Sequence, residues 1–302
     1  MIVISETVLK ILAQSFFGSL RTGIPFLLLN FVFVLKGFCA GKMKVKACIY
    51  TDVGQTRKVN QDAAFIKVAS TKNHGRITMI AVCDGMGGLS RGEVASCKAI
   101  RALELWFHEE LVLMQTLNEE ELMEAAETSL RRLIVRINAD IRRYGKNKGM
   151  QLGTTMTCLL QIGKRYVSLN IGDSRIYFVR GGGASLITKD QSVVQEKLDL
   201  GLITEEEATK DDQKNVLVQC LGMMKAPIPE VKAGFFEGNT TVIACSDGFW
   251  RMISPEEMRQ KLCPQMCLSD EDMLAECKKL SDLAVKRNEE DNISIAAACM
   301  EY

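Results

Sequence analysis

Two periods of apolar residues run along this chain, and they predict strands in some stretches and helices in others. Short runs of alternating or β-branched apolar residues, several of them joined by glycine-containing hairpin turns, are typical of strands in antiparallel sheets. The predicted strands are 47–50, 63–68, 77–83, 154–161, 166–171, 175–180, 241–245 and 293–299.

Helices are predicted where apolar residues recur at three- and four-residue steps. In the longest such stretch these residues are Leu122, Ala126, Leu130, Leu133, Ile137 and Ile141. We expect helices at 92–113, at 119–144 with its end at Gly145, from Pro255 behind a capping box, and at 270–286. The pattern favours an α+β domain in which helices cover antiparallel sheets.

The first 42 residues differ from the rest of the chain. Residues 24–35, IPFLLLNFVFVL, are almost wholly apolar and are followed by several lysines. This run is shorter than the roughly 20 residues of a membrane-spanning helix, so 1–42 is a short membrane anchor, a signal-like or interfacial segment, or a stretch upstream of a true start at Met43. The basic residues after it favour a cytoplasmic location for the domain at 43–302.

Composition limits which binding partners and which cellular compartment are expected. The 302 residues carry 38 basic and 37 acidic side chains, so no field of one sign favours nucleic-acid binding. The 11 cysteines have no regular spacing and mostly lie in apolar runs, which indicates reduced thiols in a reducing compartment. Cys263 and Cys267 lack the second pair that a zinc site requires.

The candidate chemistry lies in acidic residues at the ends of predicted strands. Asp84, Asp173, Asp247 and Asp291 each abut an apolar run, and three of them lie beside a glycine. Any one of these positions is typical of an ordinary turn. Four in the same setting indicate a site for a hard divalent cation such as Mg²⁺ or Mn²⁺, because an acid beside a buried strand must be paired or coordinated.

Anion recognition is expected from Arg57, which lies in the segment DVGQTRKVNQDA. A guanidinium binds phosphate oxygens through two parallel hydrogen bonds. An arginine beside a lysine in a loop is also typical of a solvated charge, so this assignment depends on the motif around it.

Seven segments decide the family, and they occur in one order over roughly residues 46–300. They are DVGQTRKVNQDA, VCDGMGGLSRGEVAS, GTTMTCLLQ, NIGDSRIYFVRGGG, LITKDQS, CSDGFW and EDNISI. Together they closely resemble the motif series of the PPM family, the type 2C metal-dependent protein phosphatases, and especially its bacterial members.

This resemblance implies a four-layer α-β-β-α sandwich, with two antiparallel sheets flanked by helices and a binuclear Mn²⁺ or Mg²⁺ centre at one end. Asp84 would bridge the two ions, the backbone carbonyl of Gly85 would bind the second, and Asp247 and Asp291 would bind the first. Asp173, with help from Asp247, would hold a third and looser ion.

The resemblance also implies hydrolysis of phosphoserine and phosphothreonine in proteins, the targets of a cognate Ser/Thr kinase. Arg57 would bind the substrate phosphate, and Asp62 would lie next to water on the ions. Residues 191–238 would form a mobile flap beside the site, and the domain would be monomeric. Apart from the resemblance, no cysteine nucleophile is expected, because a CxxxxxR loop is not recognised in the sequence: Cys39, Cys48 and Cys158 each lack an arginine six residues on.

Three positions depart from the pattern of the family. Gln61 stands where a glutamate is common, and a neutral amide organises water on a metal less strongly than a carboxylate does. Met86 and Gln191 each stand where a histidine is frequent. Lower metal affinity is expected from Gln61, and the leaving group would take its proton from water because Met86 has none to give.

Three other functions remain open at this level. A pseudophosphatase would bind phosphoproteins without turnover, and a membrane-tethered interaction module would depend on residues 1–42. A different metallohydrolase is disfavoured, because the chain has no HExxH motif, no Walker loop and no clustered histidines.

Overall fold

The computed structural model describes residues 43–86 and 91–302. Its strands are β1 (Lys44–Asp52), β2 (Ala63–Thr71), β3 (Gly75–Cys83), β4 (Gly85–Met86), β5 (Gly153–Thr154), β6 (Met156–Ile162), β7 (Arg165–Ile171), β8 (Arg175–Arg180), β9 (Gly183–Leu186), β10 (Glu230–Phe235), β11 (Thr240–Cys245) and β12 (Ile293–Glu301). Its helices are α1 (Gly92–Leu113), α2 (Glu119–Lys148), α3 (Val193–Asp199), α4 (Glu205–Lys210), α5 (Asp247–Trp250), α6 (Pro255–Leu262) and α7 (Asp270–Lys286).

Two antiparallel sheets form the centre of the domain. One has the strand order β1-β12-β11-β8-β9 and the other β10-β7-β6-β3-β2, while β4 and β5 form a small separate ribbon. Alternation along each strand builds a layered core: Ile80 and Val82 of β3 pack with Phe178 and Val242 of the opposite sheet. This cluster fills the space between the sheets.

The outer faces of both sheets are covered by helices. Met79 and Ala81, which alternate with the inner residues of β3, pack with α1 and α2 through residues such as Leu103 and Leu130. Ile243 on the other sheet packs with α6 and α7 in the same manner. The predicted α-β-β-α sandwich is confirmed.

The helix boundaries follow from their capping residues. Asn118 Oδ1 accepts hydrogen bonds from the N–H groups of Glu120 and Glu121 at 3.1 and 3.0 Å, which starts α2. The helix runs past Gly145, so the predicted end there is wrong. Gly149 ends it instead, with a left-handed φ of 64° that glycine adopts at little cost.

Two further predictions are corrected by the structure. The single strand expected at 154–161 is divided, because the N–H of Thr155 donates to the carbonyl of Asp84 at 2.8 Å and draws the chain out of the main sheet. The flap expected at 191–238 is too long, because β10 within it pairs along its whole length with β7. The part that lies outside the sheets carries α3 and α4.

The predicted segment 1–42 lies outside the described residues. Within the part of the chain that the structure describes, no helix has the length and apolarity to cross a membrane. The ten cysteines described there are all free thiols, and all but Cys97 are buried.

Candidate active site

Five aspartates meet at one end of the sandwich because of the antiparallel strand register. Asp62 precedes β2 and Asp84 follows β3, and these strand ends are paired at Ala63 and Cys83. Asp247 follows β11, whose last residue pairs with Ile295 near the start of β12 and with Arg175 at the start of β8. Antiparallel pairing places the end of one strand beside the start of the next, so Asp291 before β12 and Asp173 before β8 reach the same edge.

Burial and mutual repulsion raise the pKa values of Asp62, Asp84, Asp173 and Asp247. Burial, followed by repulsion from Asp62, Asp247, Asp173 and Asp291, raises the pKa of Asp84 well above its usual range. Burial also raises the pKa of Asp173 to about 8, and that of Asp62 to about 7 despite hydroxyl groups nearby. The cluster therefore holds negative charge only at a cost unless cations offset it.

The donor atoms fit a hard divalent cation. Asp62 Oδ2 and Asp247 Oδ1 are buried and have no hydrogen-bond partner among residues 43–86 and 91–302. An unpaired buried carboxylate oxygen is strongly unfavourable, and oxygen donors of this type are the ligands that Mg²⁺ and Mn²⁺ prefer. We conclude that these residues suit a metal ion.

Two arginines occupy part of this cluster. Arg57 Nη2 lies 2.8 Å from Asp291 Oδ2, and Arg251 Nη2 lies 2.7 Å from Asp247 Oδ2. Within residues 43–86 and 91–302, no three acidic, cysteine or histidine side chains are grouped so that they could hold a metal ion as they stand. The Oδ1 atom of Asp291 accepts the N–H of Asn292 at 2.8 Å, and its Oδ2 atom is bound to Arg57. Asp291 must therefore release Arg57 before both of its oxygens can bind an ion.

Close backbone packing explains the glycines that follow two of the aspartates. A Cβ at Gly85 would lie 2.3 Å from the carbonyl oxygen of Gly92 and 2.5 Å from that of Gln61. At Gly248, a Cβ would lie 2.3 Å from the carbonyl oxygen of Asn292. Neither glycine has a positive φ, so close approach rather than a tight turn requires glycine here.

Asn292 holds the loop that carries Arg57. Its Oδ1 accepts the N–H of Gln61 at 2.8 Å, and its Nδ2 donates to the carbonyls of Val53 and Val59 at 2.8 and 3.2 Å. The buried amide thereby ties the loop to the start of β12, next to Asp291. Arg57 itself is exposed.

The positions that depart from the family pattern have structural contacts. The carbonyl of Gln61 accepts the N–H of Gly85 at 3.1 Å, and Met86 is half-buried in β4. Gln191 accepts the N–H of Gly172 through Oε1 at 3.1 Å and donates to the carbonyl of Ile228 at 2.9 Å. Gln191 therefore joins the β7–β8 turn to the segment that precedes β10.

The sequence motifs did not identify two charged residues, Arg251 and Glu289, that lie near the aspartates. Arg251 lies one helical turn after Asp247, a spacing typical of paired side chains. Glu289 is buried, and its Oε1 accepts the N–H groups of Glu290 and Asp291 at 3.0 and 2.9 Å. Its position two residues before Asp291 in an acidic run was the signal available.

Against the expectation from sequence, Cys245 and Arg251 have the CxxxxxR spacing of cysteine-dependent phosphatases. The structure excludes that use. Burial raises the pKa of the Cys245 thiol far above its usual range, and the side chain packs in the core under α6 and α7. Arg251 is turned to Asp247 instead.

Known structures share this fold. The crystal structure of the phosphatase Stp1 from Staphylococcus aureus matches with a TM-score of 0.72 and 28% identity, over 89% of this chain and 100% of that one. The catalytic domain of the serine/threonine protein phosphatase PstP, in complex with two manganese ions, matches with a TM-score of 0.68 and 26% identity, over 86% of this chain and 100% of that one. The class defined by fold is therefore that of bacterial protein phosphatases.

Sequence comparison identifies the family. The model described as Protein phosphatase 2C matches residues 54–282. Protein phosphatase PhpP of Streptococcus pneumoniae is 32% identical over 254 residues, which cover 83% of this chain and 96% of PhpP. The serine/threonine phosphatase stp of Listeria monocytogenes is 31% identical over 73% of this chain and 84% of stp. The chain belongs to the protein phosphatase 2C family, and the predicted enzyme class is confirmed.

The raised pKa values predict how pH affects stability without metal. Asp62 and Asp173 have folded pKa values of about 7 and about 8, against an ordinary value of 3.8. Between about pH 4 and 8 the folded protein thus binds more protons than the unfolded chain, and its stability falls as pH rises. We expect the melting temperature in EDTA to be several degrees lower at pH 8 than at pH 6.

Differential scanning fluorimetry measures this effect. Added Mn²⁺ should recover most of the loss at pH 8, and the variant Asp173→Asn should depend less on pH. A melting temperature in EDTA that stays level or rises from pH 6 to pH 8 would contradict the charge assignment.

Proposed function

We propose that this protein hydrolyses phosphoserine and phosphothreonine in proteins, with two divalent cations bound at the aspartate cluster. The observation that carries the proposal is the buried group of carboxylates with unpartnered oxygens on Asp62 and Asp247. Membership of the protein phosphatase 2C family supports the reaction, and the two manganese ions in the PstP structure support the type of cofactor.

The ligands follow from the arrangement of the cluster. Asp84 would contact both ions, the backbone carbonyl of Gly85 would bind the second, and Asp247 and Asp291 would hold the first. Asp173, expected to hold a third ion, already lies near Arg251. When bound, Mn²⁺ or Mg²⁺ supplies the positive charge that acidifies water and stabilises the phosphate oxygens.

Arg57 is suited to bind the substrate phosphate. Half of its side chain is exposed, and among the described residues it forms an ion pair with Asp291. With Asp291 as a metal ligand, the guanidinium of Arg57 would be free to turn outward and to bind two phosphate oxygens. Asn292 keeps the loop close enough for this change of partner.

Asp62 is suited to orient the attacking water. It is buried, and its Oδ2 has no protein partner, so it can accept a hydrogen bond from water at the cluster. Met86 offers no proton to the leaving alkoxide, so bulk water must supply it. In this proposal the carboxylates orient the attacking water, and solvent protonates the leaving alkoxide.

The substrates would be phosphoproteins made by a Ser/Thr kinase, in the cytoplasm and with the enzyme as a monomer. The pseudophosphatase alternative is disfavoured, because every expected ligand position holds its carboxylate. Attachment to a membrane through residues 1–42 remains a separate proposal for the N-terminal segment.

Phosphate release from a phosphothreonine peptide tests the reaction. We expect turnover with Mn²⁺ and none with EDTA. Asp247→Asn should lower kcat by more than about 100-fold, because even residues that only support metal ligands are typically worth 10- to 100-fold. Glu124→Gln, on the exposed face of α2, is the control. Full activity of Asp247→Asn would refute the assignment of the site.

Arg57→Ala tests phosphate recognition separately. Loss of charge-assisted hydrogen bonds worth roughly 2–3 kcal/mol should lower kcat/KM by about 30- to 150-fold. Manganese affinity, measured by calorimetry, should not weaken, because Asp291 loses a competitor for the ion. Lys58→Ala, at the adjacent exposed position, should retain kcat/KM. Equal losses in the two variants would indicate a general effect of charge.

A further inference from the structure

Arg251 lies between two of the buried aspartates. Its Nη2 is 2.7 Å from Asp247 Oδ2 and 3.8 Å from Asp173 Oδ2. The side chain of Arg251 is 22% exposed, and those of Asp247 and Asp173 are 11% and 8% exposed. One guanidinium therefore serves two carboxylates at a largely buried position.

Local structure holds Arg251 in this place. It caps the single turn of α5, where its N–H donates to the carbonyl of Asp247 at 3.1 Å. The guanidinium lies 5.5 Å from the ring of Trp250, whose Nε1 donates to the carbonyl of Asp173 at 2.9 Å. The arginine, the ring and both aspartates thus form one connected group.

The neighbouring arginine is committed elsewhere. Arg175 Nε and Nη2 donate to the two carboxylate oxygens of Asp190 at 2.9 and 2.8 Å, and its guanidinium stacks 3.4 Å from the Trp250 ring. It is therefore not available to Asp173. Arg251 is the basic side chain that lies near Asp173 among the described ion pairs.

The two oxygens of Asp247 have different partners. Oδ2 is bound by Arg251, whereas Oδ1 is buried and has no hydrogen-bond partner in the part of the chain that the structure describes. Asp247 can thus bind a metal ion through Oδ1 without giving up Arg251. Metal binding by Asp247 therefore does not require the guanidinium to leave Asp173 either.

We propose that Arg251 permanently takes the place of a divalent ion between Asp247 and Asp173, so that the centre holds two ions and excludes a third. The inference rests on the proposed metal centre. A third ion at this pair would either lie beside a permanent positive charge or expel a guanidinium that three residues hold. Asp173 is then a positioning residue for Arg251 and not a metal ligand.

Manganese stoichiometry tests the exclusion. The full-length protein is stripped with EDTA, dialysed and titrated with Mn²⁺ by calorimetry, with free Mn²⁺ followed by electron paramagnetic resonance. We expect two equivalents for the native protein, for Arg251→Lys and for Asp173→Asn. Arg251→Gln should bind a third, weaker equivalent, which the double variant Arg251→Gln/Asp173→Asn should lose. Three equivalents in the native protein, or only two in Arg251→Gln, would overturn the proposal.

A second measurement does not depend on metal binding. In EDTA at about pH 9, where Asp173 is ionised, Arg251→Gln should lower the melting temperature by roughly 5 °C, because it leaves two repelling carboxylates without their cation. The same substitution in the Asp173→Asn background should cost less than half as much. Equal losses in both backgrounds would overturn the role of Arg251 as the cation of this pair. No binding of Mn²⁺ by the native protein would instead refute the proposed function.

Discussion

Like charge buried in one place is the constraint around which this molecule is organised. Five aspartates share one end of the sandwich, and burial and mutual repulsion raise the pKa values of four of them. The free energy of such a cluster becomes favourable only when cations neutralise it. The core, the close backbone contacts and the arginines all serve to hold this charge in a fixed geometry.

The two arginines at the cluster differ in exposure and in the ion pairs that they form. Arg57 is half exposed, lies on a loop and pairs with Asp291, so the change of partner proposed for it would break only an exposed ion pair. Arg251 is largely buried, is fixed to α5 and contacts two carboxylates at once. An exposed ion pair is worth little and is easily broken, whereas a buried one is broken only at high cost. The difference in burial is therefore why we propose an exchangeable ion pair for Arg57 and a permanent one for Arg251.

Much of the fold could be predicted because local pattern and tertiary role agree in the central elements. The limits predicted for α1, α7 and β8 are those of the structure, since amphipathic periodicity, capping residues and glycine turns act within a few residues of one another. The edge strand β10 was missed although Val231, Ala233 and Phe235 alternate with other residues, because the run is short, contains Gly234 and is largely exposed. Gly145 was misread as a helix end because a glycine packed tightly inside a helix resembles a terminator in sequence.

The sequence by itself determined the family, the layered sandwich and the set of aspartates, because motifs and periodicity depend only on residues that are close together in the chain. Only the tertiary structure decided which charges meet. Arg57 and Asp291 are separated by 234 positions, and Asp173 meets Arg251 only because β8 pairs with β11. Such contacts depend on strand register and side-chain direction, which arise when distant segments pack together. The spacing of Cys245 and Arg251 therefore resembled a catalytic loop, while burial directed the thiol into the core and the guanidinium to the acids.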